Sequence, residues 1–286
     1  MQGFIEQTLN GVTYAGLLFL VGSGFTLIFG LMRIVNLAHG GTYLVGGYLG
    51  YSTLLVTGSL WLALGAGALG MAVFGILLER GLLRRLRGYP MAELLLTMGV
   101  AFILGDLALA VWGGDPRAIR MPGALDQSSE LGPLVYPNSR LFILGVAVLV
   151  ALLLYYLMGR TRIGAIIRAG VDDREMVSAM GININRVFTG VFILGAILAG
   201  LAGVLGGSFL TLAPGSDSDI LTFAIVVVIV GGLGSLPGAV VGSLVVGLID
   251  NYAKAYFPDV AYFSLFAPMV LILLMRPQGL LGRNQA

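Results

Sequence analysis

One histidine, one lysine and no cysteine occur among 286 residues, so few side chains could do chemistry. Without cysteine there is no disulfide framework and no thiolate metal site. A lone His39 argues against a histidine metal cluster. The sequence has no H-E-x-x-H, no G-x-S-x-G and no pair of intramembrane aspartates, and the phosphate loop G-x-x-x-x-G-K-[ST] is missing too. We therefore expect no enzyme, no cofactor and no metal; if ATP is used, another chain must bind it. What remains is a set of polar residues placed in apolar sequence. Arg33-Ile34-Val35-Asn36-Leu37-Ala38-His39-Gly40-Gly41 interrupts one apolar stretch, and Gly231 to Gly238 interrupts another. Asn36, His39, Gly40, Ser235 and Pro237 stand at these breaks. Paired interruptions in the two halves of a membrane chain point to a solute path, because unwound backbone is tolerated there only beside protein or a water-filled cavity. Helix capping by Asn36 and a local hydrogen bond from His39 would account for the first break without any such role. Asp106 lies inside the fourth apolar segment, where an acid is a functional hypothesis by default. A pairing near the outer interface would serve it equally. Asp250, at a segment end, reads as interfacial.

The elements that must hold these residues are transmembrane helices. Hydrophobic residues make up 58% of the chain and charged residues 10%, with a mean hydropathy of +0.97. A soluble domain carries about 25% charged and about 45–50% apolar residues, so most of this apolar surface must face lipid or other helices. The fold expected is all-α: one polytopic helical bundle over residues 1–286, with about eight or nine segments. Apolar runs fall near 8–32, 42–57, 60–78, 94–112, 141–158, 188–211, 220–233, 238–250 and 263–275. Crossing a core about 30 Å thick takes roughly 20 residues, so 220–233 and 238–250 are short. They read either as tilted spans around a buried turn or as a re-entrant pair. Small residues four apart, at Gly46/Gly50, Ala66/Gly70, Ala199/Gly203/Gly207 and Gly238/Gly242, predict close helix seams. No basic residue precedes the first run, so it lacks the positive region of a signal peptide and is expected to stay as a span.

Charge orients the bundle. Arg80, Arg84, Arg85 and Arg87 follow the third segment; Arg160, Arg162, Arg168, Arg174 and Arg186 mark the long loop after the fifth; Arg276 and Arg283 follow the last. The opposite side holds Arg117, Arg120, Arg140 and Lys254 among the acids Asp115, Asp126, Glu130, Asp217, Asp219 and Asp259. The positive-inside rule makes the Arg-rich loops and the C-terminus cytoplasmic, and nine crossings then place the N-terminus outside.

The long loop, about 159–187, carries the most specific pattern. Asp172 and Asp173 suit a helix start, where carboxylates meet free N–H groups, and Gly181 suits its stop. The short helix between them would expose Met176, Val177 and Met180 among polar residues such as Arg174 and Glu175. That fits a docking element in water or a helix lying on the bilayer surface.

This segment resembles the cytoplasmic coupling loop of LivH-type permeases, the membrane subunits of branched-chain amino acid ABC importers. Gly30 to Gly40 resembles that family's asparagine–x–Ala-His-Gly signature, and Arg276-Pro277-Gln278-Gly279 its C-terminal ending. The resemblance covers nearly the whole chain. It implies a multi-pass inner-membrane permease that moves branched-chain or related amino acids. The expected partners are a second, LivM-like permease, two cytoplasmic ATPases of the LivG and LivF kind, a periplasmic binding protein and membrane lipid, with no nucleic acid. Arg168, Asp172, Asp173, Arg174, Glu175, Met176, Met180 and Gly181 would couple to an ATPase. A stand-alone ion-coupled transporter or channel is the competing reading, with Asp106 as its one deep acid.

Overall fold

The computed structural model describes residues 2–131 and 134–282. Continuous apolar sequence without proline accounts for the longest helix, α1 (Gln2–Met32). It is followed by α2 (Ala38–Thr57), α3 (Leu60–Leu78), α4 (Pro90–Trp112) and α5 (Asn138–Arg160). The loop pair α6 (Arg162–Asp172) and α7 (Arg174–Ala179) leads into α8 (Ile184–Phe209), α9 (Ser216–Gly231), α10 (Leu236–Tyr256) and α11 (Phe266–Met275). A π turn, Glu79–Leu83, and a last turn, Arg84–Leu86, prolong α3. A small antiparallel hairpin, β1 (Ser128–Leu131) and β2 (Leu134–Pro137), lies between α4 and α5.

Six of these helices are long and apolar enough to cross a membrane: those over Gly3–Met32, Leu60–Leu86, Pro90–Trp112, Asn138–Arg160, Ile184–Phe209 and Leu236–Tyr256. Each of the nine apolar runs contains a helix, although 188–211, 220–233 and 263–275 overrun their helix ends, so the chain is a multi-pass helical membrane protein. One boundary reading needs correction. The run 238–250 is not short, because α10 continues through Asp250, Asn251 and Lys254 to Tyr256. Asp250 is buried in protein, bonded to Lys254 Nζ at 2.6 Å and to Ser264 Oγ at 2.9 Å, and this pairing lets the helix pass through polar residues. The short member is α9, at 16 residues.

Burial sorts the helices by role. The α1 span is 83% buried inside the protein, whereas α4 and α5 are each 22% buried and present mostly apolar outer faces. Around α1 stand α10, α8, α9 and α5. Next to it, α2, α3 and α8 form a seam made of glycine. A Cβ on Gly46 would meet Gly200 Cα at 2.6 Å, and one on Gly203 would strike the Tyr43 carbonyl oxygen. On α3 the seam runs through Ala63, Gly67, Met71 and Gly75, offset by one residue, about 100° around the helix, from the predicted Ala66/Gly70 face. Gly238 and Gly242 meet α9 at Gly231 and Val227 as expected.

Candidate functional site

Two polar regions stand out, one at the breaks inside the bundle and one at its Arg-rich end. At the first break, Arg33 adopts left-handed backbone, φ 54°, immediately after α1. The chain then has no regular structure through Asn36, turns at Leu37, and is stitched to α4 through Thr97, whose hydroxyl accepts from Leu37 N at 3.3 Å and donates to the Val35 carbonyl at 3.4 Å. Asn36 is 2% exposed, and its Oδ1 accepts the Ala38 N–H at 3.2 Å, which serves the open end of α2. His39 is fully buried, yet its bond is not local. Its Nε2 donates to the Val21 carbonyl in α1 at 3.0 Å, and the ring meets Phe25 edge-on. With that donor used, Nδ1 is left buried without a hydrogen-bond partner among the described residues, as are Thr26 Oγ1 and the Tyr43 hydroxyl. Gly40 lets α2 approach the first turn of α9, where its missing Cβ would overlap the Asp217 carbonyl.

The second break turns back onto the same ground. Ser235 caps α10 by accepting Gly238 N–H at 3.1 Å, and Pro237 occupies the first turn, where a missing N–H costs nothing. Gly234 lies against Gly30, its Cα 3.0 Å from where a Cβ on Gly30 would sit. The two interruptions are therefore neighbours in space. A third one escaped the sequence reading. Thr211, after α8, is the other non-glycine residue in left-handed backbone, φ 63°. The segment it starts pairs with Arg117 at Leu212 and leads to α9 beside Gly40. The run Leu210-Thr211-Leu212-Ala213 is apolar enough to hide this break. Asp106 is exposed on α4.

At the Arg-rich end, the end of α1, the turn after α3, α6–α7, the start of α8 and the C-terminal turn gather together. Gly170 of α6 meets Leu31 and Ile184, and Leu281 N–H donates to the Gly231 carbonyl at 2.9 Å. Thr161 caps α6 and Asp173 caps α7, its Oδ1 accepting Met176 N–H at 2.9 Å. Asp172 is instead the last residue of α6, because the chain breaks at Asp173, not before Asp172. Gly181, with φ 81°, ends the segment after α7. Arg168, Asp172, Asp173 and Glu175 are exposed, Met176 is 59% and Met180 72% exposed, and the Arg174 side chain lies outside the described residues, as does Arg283. Val177 departs from expectation: at 3% exposure it is the anchor of α7, leaving the two methionines as its apolar edge. A cleft of about 410 Å³ opens beside the loop, lined by Arg33, Arg87, Glu93, Asp172, Asp173 and Glu175 among others.

Behind that cleft is a polar cluster that sequence reading passed over. Glu79, in the π turn, is fully buried and paired with the Arg87 guanidinium, which also donates to Asn185 Oδ1. Thr189 Oγ1 donates to the other Glu79 oxygen at 2.5 Å, and Arg87 lies 4.4 Å over the Phe188 ring. Burial lowers the Arg87 pKa from its ordinary value, and Glu79 opposes that shift. Nothing local in the sequence sets Glu79 apart from the neighbouring Arg80, Arg84 and Arg85.

Comparison with known proteins places this architecture. The family model described as branched-chain amino acid transport system / permease component matches residues 7–275. The high-affinity branched-chain amino acid transport system permease protein BraD of Pseudomonas aeruginosa is 29% identical over 99% of this chain and 97% of its own length. LivH of Escherichia coli K12 is 30% identical over 99% of this chain and 96% of its own. LivM of the same organism is 26% identical over 96% of this chain and 70% of its own. No solved structure matches the chain.

Proposed function

The chain belongs to the family of permease components of branched-chain amino acid transport systems, and from that premise we propose that it is one permease half of an ATP-driven importer. The near-full-length family match over residues 7–275 carries this reading. The solute proposed is a branched-chain or closely related amino acid, as the names of BraD and LivH state for those proteins. The similarity to LivM, itself a permease of such a system, supports a second permease as partner. ATP would be bound by two separate ATPases, since the phosphate loop motif is absent from this chain. A periplasmic binding protein would supply solute selection. Residues 1–286 act as one permease domain in this proposal. The Arg-rich end and the C-terminus face the cytoplasm, in keeping with the positive-inside rule.

In this reading α6–α7 is the ATPase-coupling loop. Met176 and Met180 form the apolar contact and Arg168, Asp172, Asp173, Arg174 and Glu175 its polar surround, with Gly181 setting the exit. Exposed methionines suit an adaptable contact with another protein. The neighbouring breaks at Asn36, His39, Gly40, Ser235 and Pro237 are proposed as the solute path. Their close packing in the single chain supports a path opened by helix movement, not a standing pore. A stand-alone ion-coupled carrier is not favoured, because the relatives are permease components of transport systems.

Reconstitution tests the proposal. The chain is placed in proteoliposomes with a second permease, two ATPases and a binding protein, and uptake of labelled leucine, isoleucine and valine is followed. ATP-dependent uptake of at least one is expected. Uptake by the chain alone, driven by an ion gradient, would refute the importer assignment; ATP-dependent uptake of only an unrelated solute would refute the substrate class.

A further inference from the structure

The geometry points to Glu79, Arg87, Asn185 and Thr189 as positioning residues that carry movement of the coupling loop into the helical core; this inference rests on α6–α7 being the ATPase-docking element. The connection from α7 to α8 is short and tied at both ends. Val177 is buried, Ile182 N–H donates to its carbonyl at 3.3 Å, and Asn183 caps α8 by accepting Arg186 N–H at 3.3 Å. A displacement of α7 therefore moves the first turn of α8. Asn185 in that turn and Thr189 in the next, four residues apart, lie on one face of α8, and both bond to the Glu79–Arg87 pair.

The pair belongs to a different part of the chain. Glu79 sits in the π turn that continues α3, and Arg87 in the loop leading to α4. Single π turns inside α-helices recur at functional sites because they re-aim side chains. Here the π turn carries the one acid of its segment, fully buried between α3 and α8. Through it, the start of α8 is bonded to the end of α3 by charge-assisted hydrogen bonds, the strong and directional kind. Further along, the same two helices meet at Gly67 and Gly200, with Gly46 of α2 against them. Moving the α8 turn without α3 would leave Glu79 buried and short of partners, so the two ends travel together.

A role in stability alone would not call for this design. Buried ion pairs add little to stability compared with apolar packing of the same shape, and their better-attested use is to specify register. The cluster is also not closed: among the described residues Arg87 Nε is buried without a hydrogen-bond partner. Arg87 and Glu93 both line the cleft beside the coupling loop, so the guanidinium lies where the loop and the core adjoin.

The experiment compares three double variants in the reconstituted transporter, reading complex assembly, ATP hydrolysis and solute moved per ATP. Asn185→Ala with Thr189→Val removes the α8 side-chain hydrogen bonds to the pair while leaving Glu79 and Arg87 bonded to each other and Arg87 over Phe188. We expect it to assemble with the ATPases and to hydrolyse ATP, with solute moved per ATP down roughly tenfold or more, as the loss of two bonds to charged groups implies. Asn185→Asp with Thr189→Ser keeps both oxygens and should retain the parental ratio. An unchanged ratio in the Ala/Val variant, or loss of assembly by it, overturns the inference. Met176→Asp with Met180→Asp reports separately on the docking element: it should lose assembly, and retained assembly would refute the coupling assignment itself.

Discussion

The seam of α2, α3 and α8 and the Arg-rich end of the same helices are held together by opposite means. Along the seam, backbone lies on backbone: a Cβ on Gly203 would strike the Tyr43 carbonyl, and a Cβ on Gly200 would strike the Gly67 carbonyl. At the Arg-rich end, contact is made by side chains such as Arg87, Glu79, Asn185 and Thr189, with a solvent-open cleft beside them. The difference matters for a machine that must move. Close-packed backbone has no rotamers with which to adjust, so such interfaces transmit displacement as rigid units. Hydrogen-bonded side chains can exchange partners. We therefore expect damage to the seam to unfold the protein, and damage to the Arg-rich end to leave a folded protein that works badly.

The largest effect should come from Gly203→Leu. The side chain has no space, and overpacking of this kind costs about 3 kcal/mol or more when the obstacle is backbone. We expect little folded protein in detergent and a strongly lowered melting temperature. Gly145→Ala in α5 is the control: a Cβ there meets nothing within 4 Å, and helix propensity favours alanine by about 0.5–1 kcal/mol. A Gly203→Leu protein that melts like its parent would break the comparison.

An intermediate effect is expected at the end of the bundle away from the arginine loops. Lys254→Met removes the cation from buried Asp250 but leaves the Ser264 bond at 2.9 Å. Lys254 is itself half exposed, so solvent screens the pair. The expected loss is about 1–2 kcal/mol, read from thermal melts. Solute moved per ATP should hold, since α7 and the Glu79 cluster are untouched. A fall in that ratio without a stability loss would mean that coupling is not concentrated at the Arg-rich end.

Much of this was legible in the sequence, and the misses have physical causes. Apolar runs located every long helix, because the requirement to satisfy backbone groups in lipid leaves no other spanning structure for such runs. The capping role of Asp173 and the stop at Gly181 followed from local chemistry. Local spacing could not say which face of a helix is closed by another element. Val177 looked exposed because the element burying it comes from outside its own helix, and nothing local marks Glu79, whose partner Thr189 is 110 residues away. The Gly40 contact with Asp217 and the break at Thr211 were invisible for the same reason. His39 was read as making a local bond and instead reaches Val21 across two helices. Short-range rules fail where long-range contacts complete a site, and the candidate site is made mostly of such contacts.

The smallest effect on stability, and the sharpest test of the contrast, is expected from Asp173→Ala. Its carboxylate accepts the Met176 N–H at 2.9 Å and so caps a helix of 6 residues. Loss of a cap costs about 1 kcal/mol. In so short a helix, that cost falls on local opening and not on the bundle, because α7 is joined to the rest mainly through buried Val177. Amide exchange at Met176 and Val177 should therefore rise about fivefold, the ratio that about 1 kcal/mol sets, while the global melting temperature stays within a degree or two. Met176 and Met180 would then be presented from a frayed helix, and ATPase affinity should fall by about the same factor, since the partner must order the segment on binding. Asp173→Asn, which keeps an acceptor oxygen at the cap, should restore both readings. If Asp173→Ala instead lowers the global melting temperature as Gly203→Leu does, α7 is part of the rigid core and the division between the two regions does not hold.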